Sequence, residues 1–415
     1  MRVESSIYAF AEDMRGEGPA PVLDRILGYG CDGVTVAAAY HRARDVTPHG
    51  PARVTLRRDG VHFPPPGELF RGLRLVPPVQ PDAGDGLFAA LRELTARRGA
   101  RLHGWTVFLH NTTLGLANPD VTQQNCFGDQ AAPADLCPSN PDVRAYADAL
   151  ARSVARQGVD TVVAESLHFG YFRHGYHHDR CFADLGPVED FLLGLCFCAH
   201  CRARGEAAGA DAEAASAAAG RIVSRVLDGD APLPGGLSPD NLRACAGDAV
   251  ARYVAARQET VTTLAASVAR AVAAEGARLV FLDVTGALKG YADGCPQGSL
   301  ACVDAWQIGV DPAAIGAVVP GYAMLGYTRD PARLAAEVAG YLALVGSSCE
   351  LRVTLRPGAP DTPSAASLPD KLHAAASAAA VDFYNYGMYP FPVLDRIPQA
   401  LAQAAQGPLA PHRAV

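Results

Sequence analysis

"NPDVRAYADALARSVARQGVDTVVAESL", residues 140–167, holds in one line the pattern that decides the fold. A helical stretch runs to Gly158, at the position that usually follows a helix end, and a short β-branched run comes next and stops on Glu165. The same helix, glycine and strand succession recurs along the chain. "DGLFAALRELTARRG" (85–99), "ETVTTLAASVARAVAAEG" (259–276) and "DPARLAAEVAGYLALVG" (330–346) are the other helical stretches that end in glycine before a strand.

Eight apolar or β-branched runs can be read. They are "SSIYAFAED" (5–13), "GVTVAAAYH" (33–41), "RLHGWTVFLHN" (101–111), "VDTVVAESL" (159–167), "RLVFLDVTG" (278–286), "AVVPGYAML" (317–325), "CELRVTLR" (349–356) and "VDFYNYGMY" (381–389). Eight strand-then-helix units predict an α/β fold, a (β/α)8 TIM barrel, over a single domain of residues 1–415. The competing open doubly wound sheet would call for a glycine fingerprint after its first strand, and none is present. Two stretches are extra. Residues 42–86 read as a long proline-rich loop after the second strand. Residues 169–258 read as a large insertion after the fourth, with an alanine-rich helix around 206–228 and a break at "DGDAPLPGGLSPDN" (228–241). Loops after barrel strands lie on the catalytic face, so both insertions are expected to shape a pocket.

Composition narrows the function classes. Hydrophobic residues make up 49% of the 415, charged residues 19%, and the net charge is −7. No lysine- or arginine-rich run is present, which argues against nucleic acid as a partner. The opening "MRVESSIYAFAEDMRGEG" carries acids early and has no long apolar segment, so no membrane partner is expected and the cytoplasm is the expected location. Eleven cysteines in a reducing compartment read as buried thiols or metal ligands rather than disulfides. "LCFCAHC" (195–201) places Cys196, Cys198 and Cys201 where a tight turn can wrap three thiolates around one tetrahedral metal, with Cys137, Cys181 or His200 as the fourth ligand. Zinc is the metal expected, in a structural role, and no organic cofactor is expected.

The segment "LCPSNPDVRAYADALARSVARQGVDTVVAES" (136–166), followed by "CFCAHCRARGEA" (196–207), resembles the zinc-containing β-galactosidases of glycoside hydrolase family 42 and related glycosyl-hydrolase-like barrels. The resemblance implies that Glu165 is the acid/base and that Cys137 joins Cys196, Cys198 and Cys201 as the zinc ligands. It also implies a small sugar or glycoside as substrate. Three features depart from the family pattern, the first being that some thirty residues separate Glu165 from the cysteine loop, many more than the family uses. Ala164 stands where the family has asparagine, and the seventh run ends in arginine and proline, with Glu350 near its beginning instead of a nucleophile at its end.

Glycoside hydrolysis uses two carboxyl groups, one to protonate the leaving oxygen and one as nucleophile or as base on water. Alternation sets Glu165 on one face with Thr161 and Val163, at the carboxyl end of its strand, and makes it the acid. Asp283, at the end of the fifth run, is the expected partner, with Glu12 and Asp13 after the first run as further acids; Asp382 lies early in the eighth. Polar groups expected to contact substrate are His41, His110, Asn111, His168, His177, His178, Asn385 and Tyr386. Tyr171, Phe172, Tyr176, Tyr384 and Tyr389 offer flat faces for a sugar. Arg352 and Arg356 share a face of the seventh strand and would read an anionic group or pair with internal acids. The stretch "VVAESLHFGYFRHGYHHDRCF" (162–182) could instead hold a catalytic metal through His168, His174, His177, His178 and Asp179. Glycines at 170 and 175 break any helix there, so the loop reads as the rim of an active site. The functional expectation is a glycoside hydrolase-like enzyme, with a non-hydrolytic carbohydrate-binding barrel or a sugar isomerase or lyase as alternatives; a homo-oligomer is compatible with all three.

Overall fold

A computed structural model describes residues 4–174, 178, 180–290 and 292–406. Its centre is a closed parallel sheet of eight strands: β1 (Glu4–Ala9), β2 (Gly33–Tyr40), β3 (Arg101–Val107), β4 (Thr161–Glu165), β5 (Arg278–Asp283), β6 (Gly321–Leu325), β7 (Glu350–Leu355) and β8 (Ala380–Phe383). Closure is made by β1, which pairs with β2 on one side and with β8 on the other; Ser6 stands opposite both Gly33 and Asp382. Helices lie between the strands, and the architecture is a (β/α)8 barrel, as the repeated pattern predicts.

The signals that start and stop the elements are local. Asn140 caps the helix Pro141–Ala155, its side chain accepting from the amides of Asp142 and Val143, with Pro141 in the first turn. The chain then turns through Gly158 at φ 79°, a conformation costly for any residue with a Cβ, and enters β4. Asp330 and Ser238 cap the helices Pro331–Val345 and Pro239–Ala273 in the same way.

Several boundaries differ from the sequence reading. The first run is cut short by a helix, Ala11–Glu17, in which Asp13 accepts from the Phe10 amide. The stretch 42–86 is less irregular than a loop: Ala43–Val46 and Val54–Arg57 form an antiparallel hairpin, and Gly60–Val61 pairs with the end of β2. After β4 come helices Pro187–Leu193, Ala199–Ala207 and Ala212–Leu227, then the long helix Pro239–Ala273, broken at Gly247. That last helix begins twenty residues before the helical stretch read from the sequence at 259, because its N-cap signal at Ser238 and Pro239 lies inside the apparent break. No helix among the described residues is long and apolar enough to cross a membrane.

Strand alternation divides the interior into two shells. Ile7, Val34, Val36, Leu102, Val162, Phe281, Met324, Leu351, Val353 and Phe383 pack outward under the helices. Tyr8, Ala37, Trp105, Val163, Val280, Leu282, Ala323 and Leu325 fill the lumen. Beneath that apolar layer, toward the amino ends of the strands, the lumen is charged. Arg352 grips Asp382 with two bonds, Nε to Oδ2 at 2.9 Å and Nη2 to Oδ1 at 2.8 Å, and Nη1 reaches Glu4. Ser6 donates to the same carboxylate and shares a hydrogen bond with Thr35.

Arg352 therefore does not read a substrate. Its anion is internal and sits at the end of the barrel opposite Glu165. The arginine holds the Asp382 carboxyl below its ordinary range against the opposing effect of burial. A depressed carboxylate contributes stability that is present above the unfolded-state pKa and lost as pH falls through the folded value. Arg352→Met is expected to destabilise the fold by about 3–5 kcal/mol at neutral pH and to flatten the acid limb of the stability curve, because it strands a buried charge. Urea unfolding across pH measures both; a loss under about 1 kcal/mol would mean that Asp382 is satisfied without its arginine.

Candidate active site

At the carboxyl ends of the strands the lumen opens into a cavity of about 400 Å3. Its floor is aromatic. Trp105 meets Tyr8 edge-on at 5.3 Å, Tyr40 at 4.7 Å and Tyr384 at 5.7 Å. The indole Nε1 donates to Glu165 Oε2 at 2.5 Å, which fixes the carboxyl at the top of β4. Immediately after it, Ser166 adopts φ 54°, a left-handed conformation a serine takes only under constraint, and the chain turns away with Glu165 facing the lumen. Burial raises the Glu165 pKa, opposed by the Trp105 hydrogen bond and the charge of His110.

Histidines from the loops after β2, β3 and β4 crowd the same cavity. His41 stacks on Tyr40 at 4.4 Å and meets His110 edge-on at 5.0 Å; His110 in turn lies 5.1 Å from His174. His110 Nδ1 bonds Asp135 Oδ1 at 3.1 Å. Burial opposes protonation of His110, but the Asp135 hydrogen bond and charge outweigh it and raise the pKa. Burial pushes His41 down to about 3, helped by the neighbouring His110, and lowers His168 and His174 as well. Of these four histidines, His110 is the one shifted toward the charged form. His168 Nδ1 lies 2.8 Å from the Phe169 carbonyl, which makes that nitrogen the proton carrier. Its Nε2 is then a buried lone pair with no partner among the described residues, on a residue that lines the cavity.

Of the residues singled out from the sequence, the cavity gathers Glu165, His41, His110, His168 and Tyr171, with Tyr384 and His174 beside them. Others face elsewhere. Asp283, expected to be the second carboxylate, is fully buried on the helix side of β5, because alternation gives the lumen to Leu282. Its oxygens accept from the hydroxyls of Tyr322 at 2.6 Å and Tyr341 at 2.8 Å and from the amide and hydroxyl of Thr285. It anchors the helix Pro331–Val345 and lies outside the cavity lining. Glu12 pairs with Arg57 at 2.7 Å. Arg356 forms two bonds with Asp361 and stacks over Tyr327 at 4.0 Å. Asn111 caps the helix Thr112–Ala117, and the Asn385 side chain accepts from the Gly387 amide. Tyr386 donates to Glu17. His178 is exposed and away from the cavity, and Tyr176, His177 and Asp179 lie outside the described residues.

Sequence reasoning passed over Trp105, Asp135 and Tyr8. Trp105 had a signal, since it shares parity with His103 and Val107 on β3 and pairs with Val163, two residues before Glu165. Asp135 had none; it sits in the loop before Cys137, and only its isolated bridge to His110 brings it to the cavity.

Cys137, Cys196, Cys198 and Cys201 form a separate buried group whose sulfurs all lie within 4.8 Å of one another. Cys137 is 3.4 Å from Cys201, 3.6 Å from Cys198 and 3.8 Å from Cys196. A tetrahedral ion with metal–sulfur bonds of about 2.3 Å needs sulfurs about 3.8 Å apart, so this donor set fits a metal ion. Cys181 and His200, the alternative fourth ligands, are outside this group.

The fold and the position of the cavity define a (β/α)8 barrel with a carboxyl group and a histidine cluster at the catalytic face. No family model matches the chain, and no curated protein sequence matches it. Among solved structures it is similar to the catalytic domain of β-amylase from Paenibacillus polymyxa, with a TM-score of 0.56 and 9% identity over 97% of this chain and 98% of that one. It is also similar to β-galactosidase from the psychrophilic Marinomonas ef1, with a TM-score of 0.52 and 10% identity over 96% of this chain and 59% of that one. At such identity the likeness is one of fold alone, the (β/α)8 barrel.

A raised carboxyl binds its proton more tightly in the folded chain. The stability this gives is full below the ordinary carboxylate pKa and is lost as pH rises through the raised folded value. Glu165→Gln keeps the neutral form at every pH. It is expected to melt about 1–2 °C above the parent at about pH 8 and level with it at about pH 4. Scanning calorimetry at the two pH values decides; a variant no more stable at the higher pH would show that the folded pKa is not raised.

Proposed function

We propose that this protein is an enzyme of glycoside-hydrolase type in which Glu165 is the general acid. The observation that carries the reading is the half-buried Glu165 carboxyl, held by Trp105 at the lumenal end of β4 in an aromatic-walled cavity. Tyr8, Tyr40, Tyr171 and Tyr384 offer faces and hydroxyls suited to a sugar ring. As the bond from the anomeric carbon to the leaving oxygen breaks, Glu165 gives its proton to that oxygen and water adds to the carbon.

The proton released by the water needs an acceptor. Besides Glu165, the carboxylates lining the cavity are Asp45 and Asp135. Asp45 is held by Arg57, whose charge is permanent, whereas Asp135 is held by His110, which can release its proton. Asp135, acting with His110, is therefore the second carboxylate of this proposal, in place of Asp283. Hydrolysis of a panel of α- and β-linked aryl glycosides tests it. Glu165→Gln and Asp135→Asn should each lower turnover by about two orders of magnitude or more while folding normally. Near-parent rates in Glu165→Gln would remove the central claim.

A second reading, a sugar isomerase or lyase, is favoured by two observations. β7 brings Thr354 to the cavity where a glycosidase nucleophile would stand, and His168 presents an unpartnered lone pair. Deuterium from solvent entering a recovered sugar, with no glycoside cleaved, would establish it. Sugar binding without any turnover would instead identify a carbohydrate-binding barrel.

The four cysteines would hold a structural zinc ion, which when bound ties the loop before the helix Pro141–Ala155 to the start of the helix Ala199–Ala207; none of the four lines the cavity. None of the eleven cysteines forms a disulfide among the described residues, which suits a reducing, cytoplasmic location. Purified protein should contain close to one zinc per chain, lost together with thermal stability in Cys198→Ser. Metal-free protein that is folded and equally stable would exclude the site.

A further inference from the structure

A second cavity, of about 310 Å3, shares Gly170, Tyr171 and Leu288 with the first and is otherwise walled largely by the insertion. That size is at the lower end for a small-molecule site. One of its lining residues is Arg257, on the helix Pro239–Ala273 and only 3% exposed. A buried guanidinium ordinarily has a carboxylate partner, because an uncompensated charge away from water is costly. Arg257 has none. Its polar contact is a long bond from Nη1 to the Gln307 carbonyl at 3.4 Å, and Nε has no acceptor.

The surroundings hold the group in place, and none of the described residues gives it a carboxylate. The guanidinium lies 4.3 Å from the centre of the Phe169 ring and 5.9 Å from that of Phe191. Asp190 also lines the cavity, but Arg173 takes it with a 2.7 Å bond. The cysteine sulfurs reach Arg257 through their charge, with no hydrogen bond to Nε. Trp306, packed against Phe191 at 5.0 Å, likewise lacks an acceptor for its buried Nε1.

We propose that this second cavity is a subsite for an anionic group, a carboxylate or a phosphate, on the same ligand whose sugar lies against Glu165. An arginine held flat by aromatic rings keeps its donor edge for the planar oxygens of such a group. The ligand class that follows is an acidic sugar, a uronic acid or a sugar phosphate, long enough to cross Tyr171 between the two cavities. The identity of the ligand as a sugar rests on the reading of the first cavity; the anionic preference rests on Arg257.

Calorimetric titration of the full chain with glucuronate, glucose 6-phosphate and neutral glucose tests the subsite. At least one anionic sugar should bind about tenfold tighter than glucose, and the preference should fall to parity in Arg257→Gln. Preference for glucuronate alone identifies a carboxylate site, and preference for glucose 6-phosphate alone a phosphate site. Leu237→Glu sets a carboxylate into the same wall and should abolish the preference too, which keeps the test valid if Arg257→Gln fails to fold. Equal binding of charged and neutral sugars by the parent, binding of none, or a preference that survives in folded Arg257→Gln overturns the subsite. Glycoside hydrolysis without anionic preference would overturn this inference alone. Anionic preference in a protein that hydrolyses no glycoside would overturn the glycosidase reading alone.

Discussion

Closure of the sheet, made where β1 pairs with β8, is the constraint on which everything else depends. A closed parallel sheet has no edge, and every strand has one face toward the lumen and one toward the helices. A single step along a strand then decides whether a polar side chain meets the cavity or a helix. Glu165 and Asp283 both stand at the carboxyl end of a strand, yet the first faces the cavity and the second is locked by Tyr322 and Tyr341. The same rule places Arg352 inside the lumen, where Asp382 neutralises it.

The lumen is layered, and the layers divide stability from chemistry. At the amino end a compact ion-pair network around Arg352 and Asp382 satisfies the charges it buries. An apolar and aromatic layer follows, and Trp105 belongs to it while handing its one polar atom upward to Glu165. That hydrogen bond ties the position of the acid to the packed core below, so the carboxyl is held by a rigid strand rather than by a loop. The histidines and Asp135 come from loops after β2, β3 and β4, the part of a barrel free to vary without disturbing closure.

The insertion after β4 contributes in two ways. The segment that opens the helix Ala199–Ala207 provides the cysteines that meet Cys137, and the long helix carries Arg257 to the wall of the second cavity. The cysteine group and the cavity wall are thus joined through one helical unit, in which Tyr253 also bonds the Cys196 carbonyl. Ordering that unit is the work a structural metal ion would do there.

Much of this was legible in the chain itself. The eight runs, the glycines after helices and the cap residues are local signals, because φ, ψ and the first hydrogen bonds of a helix depend on neighbouring residues alone. The C-x-C-x-x-C spacing and the lumenal parity of Glu165 are of the same kind. The partners of those residues were not legible. That Asp283 holds two tyrosines, that Arg352 meets Asp382 thirty residues on, and that Asp135 reaches His110 depend on contacts between distant segments. Sequence determined which residues could be charged, buried or catalytic. Tertiary structure decided which of them are already neutralised by a partner, because desolvation and pairing are properties of a place in space and not of a position in the chain.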